Sequence, residues 1–282
     1  MHPIEHLRWV ARSAGAPQQA LVAETARALS GFAGDEMGLV IACRRVVHRH
    51  PTSGSLVWLA ARAITSPDPR SDLREAAAAV AADPTSRRVA DALPPEATVV
   101  VVGWPEAGVA SLGRRGDVSV VVVDVDGCGD DLVDTLTDAD VQACTVNPVA
   151  LGAVLGALAD AGGRAGADGP GDVVVVVEAD AADATRAIAA PGSLAAVATA
   201  RALGLTTWLV APRGRTQPAA LLDTALGRLA AGVAGPTHVD WDVVPTTLID
   251  VVVRPDGVCA PAEALAVPDC PSVPELFAGD VF

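Results

Sequence analysis

Three runs of valine decide what this chain can fold into. Positions 99–102, 118–123 and 173–177 are almost unbroken β-branched residues, with Ser119 the one polar interruption. A strand with one face in water alternates apolar and polar side chains. A strand apolar at every position has to be covered on both faces, which is the situation of a central strand in a parallel sheet flanked by helices. Further extended runs follow at 141–146, 205–210 and 248–253, and Ala- and Leu-rich stretches lie at 106–112, 130–136, 149–159, 193–203 and 219–231. Strand and helix alternating at this spacing predict an α/β domain built on a doubly wound, mainly parallel sheet.

Before Pro95 the period is that of helices. Ile4, Leu7, Val10 and Ala11 share one face, as do Val22, Ala26, Leu29 and Ala33, and prolines and glycines divide the region into five or six helices. The expected organisation is therefore a helical domain over 1–94, the α/β domain over 95–258, and an irregular, proline-rich tail over 259–282. The segment 162–171, with five glycines and one proline, reads as a loop.

Composition excludes several classes. All 20 basic residues are arginine, since the chain has no lysine. That removes P-loop nucleotidases, pyridoxal phosphate enzymes and Schiff-base aldolases, each of which needs a lysine amine. Five dispersed cysteines with no CxxC pair suggest neither a disulfide framework nor a zinc site. A net charge of -14 repels a phosphate backbone and argues against nucleic acid as a direct partner. No apolar run reaches the roughly 18 to 20 residues of a membrane span. The first ten residues, with His2, Glu5, His6 and Arg8, lack the pattern of a signal peptide. These points lead to the expectation of a cytoplasmic chain with no membrane partner, no cofactor and no resident metal.

In an open parallel sheet, ligands bind beyond the carboxyl ends of the strands, where helix N-termini also point. Those ends read Gly103-Trp104, then Asp124, Asp126 and Gly127, then Asn147, then Glu178 and Asp180, then Arg213 and Arg215. Glu178 and Asp180 can do acid/base work, or the acids Asp124, Asp126, Glu178 and Asp180 can hold a divalent cation, or they can simply end strands and cap helices. Their spacing does not decide. Two helix starts offer free amides to an anion, Gly192-Ser193 and the segment Thr52-Ser53-Gly54-Ser55, although Ser193 and Ser53 are also ordinary N-caps. His48, Arg49 and His50 precede the second of these and can serve as phosphate or acid/base groups, or as a solvated helix end.

Several segments in order resemble the family of initiation factor 2B regulatory subunits and methylthioribose-1-phosphate isomerases. His50-Pro51-Thr52-Ser53-Gly54-Ser55-Leu56-Val57-Trp58 is similar to the family's Arg-Pro-Thr-Ala-x-x-Leu-x-Trp, and Val176 to Asp180 to a strand ending in Gly-Ala-Asp. Ala190-Pro191-Gly192-Ser193 stands where the family writes Asn-Lys followed by Gly and Thr. Trp241 to Ile249 resembles Phe-Asp-Val-Thr-Pro-x-x-Leu-Ile. The resemblance implies a helical N-terminal domain, a Rossmann-like C-terminal domain, a homodimer, and a sugar phosphate or nucleotide bound at the strand ends. It carries over Asp180 as the catalytic candidate and His50, Thr52, Ser53, Gly192, Ser193 and Arg213 as ligand- or phosphate-binding candidates. The sequence departs from the family at the cysteine segment, which falls on residues 102–108 and holds no Cys. Asp124-Val125-Asp126-Gly127 replaces Glu-Thr-Arg-Pro, Ala190-Pro191 replaces Asn-Lys, and His50 replaces the first arginine. The implied function is a non-catalytic binder of a phosphorylated metabolite or a protein partner. The alternative is an aldose-ketose sugar-phosphate isomerase with altered groups, using Asp180 with Glu178 or Cys128.

Overall fold

The computed structural model describes residues 17–161, 172–232 and 240–278. The helical face expected at Ile4 to Ala11 and the glycine-rich segment 162–171 lie outside the described residues.

Among the described residues five helices precede the sheet: α1 (Gln18–Leu29), α2 (Glu36–Arg49), α3 (Gly54–Thr65), α4 (Pro69–Ala81) and α5 (Thr85–Ala92). Asp35, Ser53 and Asp68 cap α2, α3 and α4 by accepting first-turn amides, the signal that fixes each start. Helix α3 runs through the middle of this region, and Leu56, Val57, Leu59, Ala60 and Ala61 on all its sides are fully buried. A helix apolar all round is stable only when neighbours surround it.

The second half alternates strand and helix: β1 (Thr98–Val102), α6 (Glu106–Leu112), β2 (Ser119–Val123), α7 (Gly129–Thr137), β3 (Gln142–Val146), α8 (Leu151–Asp160), β4 (Val173–Ala182), β5 (Arg186–Ala189), α9 (Ser193–Leu203), β6 (Thr206–Val210), α10 (Ala219–Gly232), β7 (Asp242–Pro245), β8 (Val251–Arg254) and β9 (Gly257–Cys259). The main sheet has the order β3-β2-β1-β4-β6-β8-β9, parallel except for the final pairing of β8 with β9. The valine runs explain themselves here. Val100, Val102, Val121, Val123, Val175 and Val177 face a core closed by Leu151 and Leu155 of α8 and Ala196, Val197 and Ala200 of α9. Val99, Val101, Val120, Val122, Val174 and Val176 face a second core closed by Val89 of α5, Leu112 of α6, and Leu132 and Leu136 of α7. A buried valine contributes about 1.5 kcal/mol or more to burial, so neither face tolerates a polar alternation.

Strands β5, β7 and β9 have no counterpart in the extended runs of the sequence. Strand β4 runs on to Ala182, where it leaves the main sheet and pairs antiparallel with β5, which pairs in turn with β7. The tail is more ordered than its prolines suggest. A short helix α11 (Pro261–Ala264) and a 3-10 turn at Pro274–Phe277 form, and Cys270, Val273, Leu276 and Phe277 pack into the core of the helical region. Among the described residues no helix is long and apolar enough to cross a membrane.

Candidate functional site

The strand order reverses between β1 and β4, and all strands of this part point the same way, so their carboxyl ends diverge around a crevice. A cleft of about 1080 Å³ opens there. Its floor is the end of β4, and the N-terminus of α3 forms one wall.

Local backbone places the key side chain. The register of β4 against β5 shifts between Ala179 and Ala181, so Asp180 occupies an irregularity in the strand. Such bulges re-aim a side chain, and they recur beside functional sites. Gly54, at the start of α3, makes the close approach to β4 possible: a Cβ there would stand 2.6 Å from the Asp180 carbonyl oxygen and 3.0 Å from the Arg215 Cα.

Arg215 is 4% exposed and links three elements. Its guanidinium donates to Glu178 Oε1 at 2.8 Å and to the Ala179 carbonyl at 2.7 Å, with Glu106 Oε2 3.6 Å away. Glu178 Oε2 accepts the Ala107 and Gly108 amides of α6 at 2.8 and 3.2 Å. Both oxygens of Glu178 are thus committed to structure. Glu106 accepts the Gln18 amide at 2.7 Å, and burial pushes its carboxyl above the usual range despite Arg215. Asp180 differs, because its carboxylate accepts no hydrogen bond among the described residues. Burial, set against the attraction of Arg215 and supplemented by the repulsion of Glu178, raises its pKa to about 6.

The shift has a consequence for stability. The folded state holds the Asp180 proton more tightly than the unfolded chain, so the contribution is favourable at low pH and is lost as pH rises through about 4 to 6. Asp180→Asn is therefore expected to be neutral near pH 4 and stabilising by about 1 to 2 kcal/mol at pH 7.5. Urea unfolding at the two pH values checks this.

The remaining predicted residues fall in two groups. His50, Thr52 and Ser53 line the cleft with Arg49, as do Asp126 and Cys128. The other three lie elsewhere: Ser193 is buried, and neither it nor Gly192 lines the cleft. The first free amide of α9, at Leu194, is already taken by the Asp242 carboxylate at 2.9 Å. Arg213 also lies outside the lining; its amide donates to Asp83 at 2.6 Å and its side chain reaches toward Asp256. The rim acids mostly cap turns: Asp124 accepts from Gly127 and Gly129, and Asp126 from Cys128. Among the described residues no group of three or more His, Cys, Asp or Glu is placed to hold a metal ion. Cys128 is exposed, and the charges of Asp126, Asp131 and Asp124, with some burial, raise its thiol pKa.

Trp104 and Arg215 stand at strand ends that the sequence marks as the ligand rim, without being among its catalytic or ligand-binding candidates, whereas Glu106 and Trp241 join the site with no such signal. Positive φ at Gly214 turns the chain between the two arginines, so that Arg213 leaves and Arg215 enters. A Cβ at Gly214 would also strike the Trp58 ring at 2.8 Å.

No family model matches the sequence, and no curated protein is similar to it. Solved structures are. The translation initiation factor eIF-2B of Pyrococcus horikoshii OT3 superposes with a TM-score of 0.73 at 12% identity, covering 93% of this chain and 98% of that one. The chain has the fold of initiation factor 2B subunits. The eIF2B beta subunit of Chaetomium thermophilum gives a TM-score of 0.67 at 12% identity, covering 94% of this chain and 89% of its own. The 5-methylthioribose 1-phosphate isomerase of Pyrococcus horikoshii OT3 gives 0.61 at 16% identity, covering 94% and 86%. The same fold therefore serves both translational subunits and an isomerase, and the choice between them has to be argued from the site.

Proposed function

We propose that this chain is an initiation factor 2B-like protein that binds a phosphorylated metabolite in the cleft at the strand carboxyl ends without turning it over. The observation that carries this reading is the lining itself, which brings the N-terminus of α3, with Arg49, His50, Thr52 and Ser53, into one cleft with Asp126 and Asp180. A helix N-terminus with small hydroxyl residues suits a phosphate. Carboxylates that accept from hydroxyls suit a sugar. The reading without turnover is supported by the commitment of Glu178, the carboxylate nearest in sequence to Asp180, which is held by Arg215 and two amides and is not free to share a proton transfer with it.

Thermal denaturation tests it. Ribose 5-phosphate is expected to raise the melting temperature, and ribose is not, because the phosphate supplies the binding energy. Thr52→Asp adds a carboxylate where the phosphate would sit and is expected to abolish the shift while leaving the stability of the free protein near that of the parent. Equal shifts with both sugars would remove the phosphate from the account.

A second reading has one observation in its favour. Asp180, with its raised pKa, and the thiol of Cys128 line the same cleft, which is an acid/base pair of the kind an aldose-ketose isomerisation needs. In that case Asp180→Asn abolishes turnover of an aldose phosphate and leaves binding in place. A homodimer and a cytoplasmic setting fit either reading.

A further inference from the structure

The main sheet ends at β3, which among the described residues pairs with β2 and has no strand on its other side. The Val146 carbonyl accepts the Asp124 amide at 3.0 Å. In a parallel strand alternate residues turn both backbone groups to the same side, so Gln142, Cys144 and Val146 face β2 while the N–H and C=O of Ala143 and Thr145 face outward. Proteins blunt an open edge with lysine, proline, a bulge or a very short strand. Strand β3 uses none of these: its five residues carry no charge and no proline, and their register with β2 is unbroken. The opposite edge is the contrast, since β9 has only three residues. Charge around β3 is of one sign. Every charged residue from 116 to 161 is an aspartate. Helix α7 lies over β3, where Asp130 accepts the Thr145 hydroxyl at 3.1 Å, and Asp131, Asp134 and Asp138 are exposed and form no ion pair among the described residues. The face of β3 turned from α7 is uncharged, with Cys144 exposed and Val146 half-buried against the core closed by α8 and α9.

We infer that the β3 edge binds an extended, basic segment of another protein as an added strand, with lysine or arginine at every second position and apolar residues between. The outward backbone groups of Ala143 and Thr145 supply main-chain hydrogen bonds, which give affinity for any extended chain. Side chains give the choice. Successive residues of a strand point to opposite faces, so one set of the partner's side chains enters the field of the α7 aspartates and the other set meets Cys144 and Val146. The same charges argue against a second copy of this chain on the edge, because pairing β3 with another β3 sets two acidic helices against each other. The inference is independent of the ligand in the cleft.

Fluorescence anisotropy on the whole chain tests it, with a blocked, labelled peptide of alternating lysine and valine as the probe, about eight residues long to match a strand. The probe is expected to bind, and its glutamate-valine counterpart is not. A peptide of the same composition with its lysines and valines in separate blocks should bind about tenfold more weakly or worse, because it cannot sort its side chains between the two faces. Only alternate N–H groups of an added strand face β3, so N-methylation of the valines or of the lysines should abolish binding in one case and spare it in the other. Ala143→Pro removes an outward N–H at an edge position that tolerates proline, and is expected to abolish binding with the circular dichroism spectrum unchanged. Asp131→Asn, Asp134→Asn and Asp138→Asn together should weaken binding about tenfold and remove most of its salt dependence. Binding kept by both N-methylated peptides, equal binding of the blocked sequence, or no binding of the probe overturns the inference. So does a dimer of the native chain that Ala143→Pro dissociates, since the edge is then filled by a second copy.

Discussion

Arg215→Met is expected to destabilise the protein by about 3–5 kcal/mol at pH 7.5, a fall in Tm of about 10 °C. The guanidinium is placed among Glu106, Glu178 and Asp180, and it donates to Glu178 Oε1 and to the Ala179 carbonyl. Side chains of both Arg215 and Glu178 are almost fully buried, at 5% and 6% exposure, so solvent screens the pair little. Methionine fills much of the volume, which leaves the uncompensated carboxylates as the cause of the loss. Two further results distinguish this account from a simple packing defect. The penalty should shrink toward pH 5, because carboxylates deprived of their cation take up protons more readily in the folded state. Adding Glu178→Gln to Arg215→Met should recover more than half of the loss, since a buried pair is costly to break and cheap to replace. Urea unfolding of the two variants at two pH values measures both.

Gly54→Ala is the second large effect, and its sign is the informative part. At an ordinary exposed helix position the substitution would stabilise by about 1 kcal/mol through helix propensity. Here the new methyl meets backbone on three sides: the Asp180 carbonyl oxygen at 2.6 Å, the Arg215 Cα at 3.0 Å and the Ala181 Cα at 3.2 Å. None of these atoms can rotate away, so α3 has to lift off β4. The expected cost is about 2–3 kcal/mol, within the range for overpacking, together with weakened ligand binding because the wall of the cleft at Ser53 moves with the helix. A stabilised Gly54→Ala would mean that α3 does not sit on β4 as described.

The main sheet was legible because burial on both faces leaves a mark at every residue of a strand. Val99 to Val102 and Val173 to Val177 could not have been placed at an edge or on a wet surface. Strands β5 and β7 left no such mark: Arg186 to Ala189 and Asp242 to Pro245 are four residues each, and they owe their form to pairing with the far end of β4. The same holds for the site. Its positions along the strand ends followed from topology alone, including Asp180, Trp104 and Asp126. Which of two neighbouring arginines turns inward did not, because the partners of Arg215 come from α6 and β4 and only the fold brings them together. Likewise, the promise of the α9 start as an anion site is met in the structure by Asp242, a carboxylate 48 residues away in sequence from Leu194. A helix N-terminus announces that it will take an anion, but not whether the chain supplies its own.

The claim that joins these observations is that the cleft binds a phosphorylated ligand and does not convert it. Phosphorus NMR of 5-methylthioribose 1-phosphate and of ribose 1,5-bisphosphate, followed over hours in the presence of the protein, tests both halves at once. The native protein is expected to broaden or shift the phosphate resonance, Thr52→Asp to restore the free spectrum, and no ketose phosphate signal to grow. A new ketose phosphate signal that disappears in Asp180→Asn, or resonances unperturbed by the native protein, would contradict it.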